Sequence, residues 1–217
     1  MDRDNLKSHI VRPLFSGVIL RYDVIIVGAG PAGIFTALEL TSHSDLRIAI
    51  VERGMDIMHR HCPAWGGFKC FRCKPCAILS GWGGAGAFSD GKLTLSPEVG
   101  GWLVQLLGKK RLSALIDYVD KIYLKFGAPT QVYGTDLDKI EELAHRATLA
   151  GMKLIPMRLR HMGTEKAREV LKNMWQYLHK RVDVFFGQEV TKVIVRNGEI
   201  VGVETNNGNT LEGRYVV

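Results

Sequence analysis

The sequence predicts an α/β fold, on three observations. The stretch YDVIIVGAGPAGIFTALEL at 22–40 joins a β-branched apolar run to a glycine turn and then to helix formers. A second apolar run ends in IVERG at 50–54. The tail from 182 onward alternates strand-like runs with Asn-Gly turns.

Taken in order, residues 1–20 read as an N-terminal arm or short strand. Tyr22–Val27 is apolar apart from Asp23 and reads as a strand covered on both faces. A helix starts at Pro31 and runs to Leu40, and Arg47–Val51 returns as a second strand, completing a βαβ unit. Residues 55–101 are rich in Cys, Trp and Gly and read as loop. Apolar residues at 112, 115, 116, 119, 122, 123 and 126 recur at helical spacing, so Arg111–Phe126 is a helix, stopped by Gly127-Ala128-Pro129. Asp136–Ala150 is a second helix, with Asp136 or Asp138 as N-cap and Gly151 as its stop. Met152–Ile155 reads as a short strand. Thr164–Lys180 reads as a helix capped by Thr164. Strands follow at Val182–Phe186, Glu189–Arg196, Glu199–Glu204 and Thr210–Val217. Asn197-Gly198 and Asn207-Gly208 turn the last three into a β-meander. The expected organisation is an arm at 1–20, one domain from 21–96 and 181–217, and a mostly helical insert at 97–180.

Composition sets the class. Of 217 residues, 46% are hydrophobic and 24% charged, so a packed core is expected. The net charge of +7 suits an anionic cofactor or substrate. The basic residues form no block of five or six, which argues against a nucleic-acid binder. No apolar run reaches the roughly 18 residues of a membrane span. The N-terminus lacks a signal-peptide pattern, which points to the cytoplasm. In that compartment, thiols, metal ligands or redox groups are expected rather than structural disulfides.

The chemistry starts at Gly28-Ala29-Gly30-Pro31-Ala32-Gly33, a G-x-G-x-x-G between a buried strand and a helix. Gly28 permits the tight turn, Gly30 lets backbone approach a pyrophosphate, and Gly33 lets helix pack on strand. The helix N-terminus adds amide donors and partial positive charge. Glu52 ends the second strand at about the expected offset of about 20 residues. Its carboxylate can accept from ribose hydroxyls and would repel a 2′-phosphate. Arg53 completes this cofactor-binding set.

VIIVGAGPAGIFTALEL with IVERG resembles the N-terminal signature of the two-dinucleotide-binding-domain flavoproteins, the glutathione-reductase-like superfamily. That resemblance implies FAD as cofactor, a three-layer Rossmann-type FAD-binding domain with a β-meander, and oxidoreduction of an unknown small-molecule substrate. It also implies that the backbone at Val190 touches adenine. GWGGAGAFSDGKLTL at 81–95 and RHMGTEK at 160–166 are similar to the poorly characterised FAD-dependent dehydrogenases of bacteria and archaea. In that family the chain continues past Arg214-Tyr215-Val216-Val217 into an alanine/glycine turn, so an N-terminal portion of a longer protein, or a shortened relative, is expected. The resemblance further implies that Gly83, Gly84, Ala85 and Ser89 line the flavin or ribityl chain, with Asp90 and Lys92 near it. A tight packing loop with Asp90 and Lys92 salt-bridged is the alternative reading. Arg160-His161 reads as an anion-binding corner or as a basic loop. Trp65, Trp82 and Trp102 read as loop packing. The electron donor and any catalytic acid or base are not legible. The alternatives are a tRNA-modifying flavoprotein, an isoprenoid reductase and a non-catalytic FAD-binding module.

The four cysteines, Cys62, Cys70, Cys73 and Cys76, have the spacing C-x7-C-x2-C-x2-C. Four thiolates at such offsets can converge on zinc or an iron–sulfur cluster. A C-x2-C dithiol and inert thiols are the other readings. His59 and His61 are possible substitute ligands, or exposed loop histidines.

Overall fold

The computed structural model describes residues 19–217. The expected arm at 1–20 lies almost wholly outside the described residues. The chain forms two compact units: residues up to Ala87 with Met174–Val217, and Phe88–Asn173.

The first unit is built on a six-stranded sheet. Its strands are β1 (Leu20–Val27), β2 (Ile48–Glu52), β5 (Asp183–Phe186), β6 (Val190–Arg196), β7 (Glu199–Thr205) and β8 (Thr210–Val216), in the order β5-β2-β1-β8-β7-β6. β1 pairs in parallel with β2, through Val24–Ile48 to Val27–Val51, and with β8 on its other side. β2 pairs in parallel with β5. All five residues of β2 are buried, which explains its unbroken IAIVE. The meander is antiparallel and joins the parallel sheet through β8. Its first turn uses Asn197 (φ +52°) and Gly198 (φ +82°), the left-handed pair that a two-residue hairpin needs.

Helix α1 (Pro31–His43) connects β1 to β2 and buries Ile34, Ala37 and Leu38. The sheet core gathers Tyr22, Ile25, Ala49, Val51, Phe185, Val203 and Leu211. A second cluster forms around Trp82, which is fully buried and meets Trp175 edge-on at 5.1 Å and Phe186 at 6.4 Å. Trp82 therefore packs, as expected. Trp65 is partly exposed and edges onto His61, while Trp102 is largely exposed.

The second unit holds β3 (Lys92–Thr94) antiparallel to β4 (Leu159–His161), with α2 (Leu103–Leu107), α3 (Lys109–Lys125) and α4 (Leu137–Leu149). Helix α5 (Gly163–Leu178) begins in this unit, and its residues from Met174 onward belong to the first. Asp136 caps α4 by accepting from the Lys139 N–H at 3.2 Å. Two expectations are corrected. Met152–Ile155 is not a strand; β4 forms later, because Lys92–Thr94 and the Tyr133–Leu159 bridge supply partners there. Thr164 is not the N-cap of α5, which already starts at Gly163; its hydroxyl donates instead to the Ser89 carbonyl at 2.9 Å.

Arg160 is buried and gives a two-pronged ion pair to Asp120, both contacts at 2.7 Å, with the Pro129 carbonyl as a further acceptor. The Asp120 hydrogen bonds hold its guanidinium above the usual arginine range. Arg160 is thus a structural brace rather than an anion-binding group, whereas its neighbour His161 is exposed. Among the described residues, no helix is long and apolar enough to cross a membrane.

Candidate functional site

A cleft of about 350 Å³ opens in the first unit at the carboxyl ends of β1 and β2. That is where open α/β sheets place ligands. Its wall includes Val27, Gly28 and Gly30 from the β1–α1 turn, and Val51, Glu52 and Arg53 from the end of β2. Leu79, Ser80, Gly81 and Gly84 add a third side, and Gln188, Glu189 and Val190 a fourth.

The β1–α1 turn meets each demand of its glycines. Gly28 sits at φ +102°, which side-chain-bearing residues avoid. A Cβ added at Gly28 or Gly30 would find no atom within 4 Å, so both face open space. Gly33 is the opposite case: a Cβ there would collide with the Gly28 carbonyl oxygen and press on Ile26. No side chain caps α1, Pro31 occupies its first turn, and no acid follows. The first-turn amides are left to solvent or to an anion.

Glu52 binds this turn to its surroundings. One carboxylate oxygen, Oε2, accepts from the Ala29 N–H at 2.8 Å. The other, Oε1, accepts from the N–H groups of Gly54 (2.7 Å) and Gly81 (2.8 Å). The carboxylate is buried, so these three bonds carry much of its stabilisation. Its expected bonding to ribose is left with the spare acceptor capacity of Oε2, which carries one bond.

The glycine segment runs directly along the cradle. The Gly83 N–H donates to the Ala29 carbonyl at 2.8 Å, and Gly84 lies against Gly30 and Pro31. Arg60 holds the segment from behind. It is almost fully buried and donates to the carbonyls of Ala77 (3.0 Å), Ile78, Trp82 and Gly84 (each 2.7 Å). A guanidinium fork can reach several carbonyls at once, which an ammonium cannot do in one plane.

Among the sequence-derived site residues, Gly28, Gly30, Glu52, Arg53, Gly84 and Val190 line the cleft. Ala29, Gly33 and Gly83 shape it through backbone contacts. Pro31 and Ala32 open helix α1 without lining it. Ala85 belongs to the short 3₁₀ turn Gly84–Phe88. Ser89 lies in the second unit and its hydroxyl accepts from the Gly91 N–H. Asp90 and Lys92 are exposed and paired at 2.8 Å, and that hydrogen bond keeps the Asp90 carboxyl below its usual range.

Sequence reasoning missed Gln188, in the turn between β5 and β6. Its backbone N–H donates to the Glu52 carbonyl at 3.1 Å, while its side-chain oxygen is buried without a hydrogen-bond partner. A buried, unsatisfied acceptor in a ligand-sized cleft fits a ligand donor. A polar residue in the turn behind β5 was the signal that could have found it.

The structure does not gather the cysteines. Cys62 and Cys76 are half-buried, Cys70 and Cys73 exposed, and all four are free thiols. Among the described residues no three His, Cys, Asp or Glu side chains stand as a metal-ligand group. His59 pairs with Asp56 at 2.6 Å instead.

The chain matches no protein-family model. It is 30% identical over 188 residues to an uncharacterized protein of Clostridium beijerinckii, covering 85% of this chain and 28% of that protein. Solved structures share its fold at low sequence identity. A 3-ketosteroid dehydrogenase of Rhodococcus jostii, in complex with 4-androstene-3,17-dione, superposes with a TM-score of 0.55 at 16% identity, over 91% of this chain and 45% of that one. The fold, a Rossmann-like α/β fold with a parallel-rich central sheet, is shared with that enzyme. The L-amino acid deaminase of Proteus myxofaciens gives a TM-score of 0.51 at 14% identity, over 93% and 46% of the two chains. Glycine oxidase of Geobacillus kaustophilus gives 0.51 at 16% identity, over 91% and 54%. The chain thus spans about half the length of these solved structures and less than a third of the clostridial protein.

Proposed function

We propose that this chain binds FAD in the cleft between the β1–α1 turn and the glycine segment, as part of an FAD-dependent oxidoreductase. The carrying observation is the pairing of two open glycine positions, Gly28 and Gly30, with an unsatisfied Gln188 oxygen in the same cleft. The first suits a pyrophosphate that must approach backbone closely, and the second suits the amino group of an adenine. The oxidoreductase fold supports the same reading. Val190 would flank the base, and the free capacity of Glu52 Oε2 would take a ribose hydroxyl. The bound flavin would supply hydride or electron transfer. The protein's own residues hold the nucleotide half, and the carboxylate of Glu52 disfavours a 2′-phosphate.

The test is titration of flavin-stripped protein with FAD, FMN and NAD, followed by flavin fluorescence and calorimetry. FAD should bind at least about tenfold more tightly than FMN, which lacks the adenosine that the cleft reads. Equal affinities, or preference for NAD, would refute the assignment. Turnover of the FAD-loaded chain with an artificial electron acceptor then separates an enzyme from a binding module.

A further inference from the structure

We propose that the loop between Glu98 and Lys109 is a membrane-docking tip, which seats this chain on the surface of an anionic phospholipid bilayer. The tip belongs to the second unit and the FAD cleft to the first, so its test does not depend on FAD binding.

The ten residues from Val99 to Gly108 carry no charge, and Lys109-Lys110-Arg111 follows directly. So apolar a run would ordinarily fold inward. Instead Trp102 is 80% exposed and Leu106 79%, with Val99 and Leu103 also in solvent. Exposed apolar side chains scattered singly need no explanation, but several at one spot mark an interaction surface. Leu103 and Leu106 stand three apart on α2 and share its outer face. Val104 and Leu107, both half-buried, take the other face.

The tip has a built root. Leu95 and Ser96 are buried, and the Ser96 hydroxyl accepts from the Glu98 N–H at 3.3 Å. Glu98 and Lys109 then close the loop with an ion pair at 2.6 Å. Gly108, at φ +73°, turns α2 into α3. Its N–H donates to the Val104 carbonyl at 2.9 Å, and its own carbonyl accepts from the Leu112 N–H at 3.1 Å. The short helix is thereby fixed at the head of α3 with its leucines outward.

Charge decides what covers the tip. Lys109, Lys110 and Arg111 are exposed at its base, against the single acid Glu98. A second copy would bring two such basic collars together, which like-charge repulsion opposes. An anionic bilayer meets both features at once. Tryptophan settles at the membrane–water interface, leucines enter the headgroup–acyl boundary, and the cations lie among lipid phosphates. A bilayer span takes about 20 residues, so a tip of this length docks without crossing.

The full chain should cosediment with vesicles of phosphatidylcholine and phosphatidylglycerol at low salt. It should bind them at least about tenfold more tightly than vesicles of phosphatidylcholine alone, since each basic residue near the surface adds about fivefold. Trp102→Ser with Leu106→Ser should weaken that binding at least about tenfold, with unchanged circular dichroism confirming that the chain still folds. Lys110→Gln with Arg111→Gln should remove most of the preference for anionic lipid. Bromine-labelled lipid should quench tryptophan emission of the wild-type chain, and the quenching should vanish in Trp102→Phe, which keeps an apolar tip. No binding to anionic vesicles would overturn the proposal and leave the tip to a protein partner. Binding unchanged in the Trp102→Ser, Leu106→Ser variant, quenching that persists in Trp102→Phe, or a wild-type dimer that the serine variant dissolves would each overturn it as well.

Discussion

Glu52→Gln is the sharpest test of how the cleft is built. The carboxylate accepts three backbone N–H bonds from three separate segments, at Ala29, Gly54 and Gly81. A carboxamide has only one acceptor oxygen. Placed where Oε1 stands, it keeps Gly54 and Gly81 but turns its NH₂ toward the Ala29 N–H; flipped, it sets NH₂ against two amides. A hydrogen bond to a charged group contributes about 1.5–3 kcal/mol and a neutral one about 1 kcal/mol. Losing one bond costs about 2 kcal/mol, and weakening the other two costs about 2 kcal/mol more. Relief from burying a charge returns about 1 kcal/mol, leaving a destabilisation of about 3 kcal/mol. Urea denaturation followed by circular dichroism measures it. If half of that cost is felt where Ala29 and Gly81 border the cleft, FAD affinity falls about tenfold. A variant within about 0.5 kcal/mol of wild type, with unchanged FAD binding, would show that Glu52 is not the clamp.

Two further predictions concern single positions. Gly33→Ala should cost about 3 kcal/mol or more, because its Cβ meets a backbone oxygen that cannot move without parting helix from strand. Gly86→Ala, whose Cβ would meet nothing within 4 Å, should stay within about 0.5 kcal/mol; equal melting temperatures for the two would refute the packing argument. At the N-terminus of α4, the backbone bond from Lys139, followed by its side-chain bond, holds the Asp136 carboxyl below its reference value of 3.8. A depressed folded value means that the charged cap stabilises above pH 3.8 and stops doing so as pH falls through the folded value. The stability gap between wild type and Asp136→Asn should therefore be flat at neutral pH and close on acidification. A gap that widens in acid would reverse the assignment.

What the sequence disclosed, and what it hid, divides along the range of the interactions involved. The β1–α1–β2 unit was legible because its demands are local. Gly28 must take a positive φ, Gly33 must lack a Cβ, and β2 must be apolar on both faces. The Asn197-Gly198 turn was legible for the same reason. β4 was not, because Leu-Arg-His carries no strand pattern and becomes one only by pairing with β3. Arg160 stayed open between an anion-binding corner and a basic loop because its partner Asp120 lies 40 positions away.

The largest gap was in the glycine segment, where density alone suggested a cofactor wall but gave no reason for it to stay in place. Two buried charges of opposite sign answer that. Glu52 accepts the Gly81 N–H from one side, and Arg60 donates to the Trp82 and Gly84 carbonyls from the other. Backbone that belongs to no sheet is thus satisfied in both its donors and its acceptors, as buried peptide groups require. Gly84 can then lie against Gly30 while Trp82 packs into the core, leaving the cleft open for a ligand. On this account Arg60→Met should open the cleft wall while leaving the sheet intact. The same residue ties down Ala77 and Ile78 at the foot of the cysteine loop, so the cradle wall and that loop share one anchor.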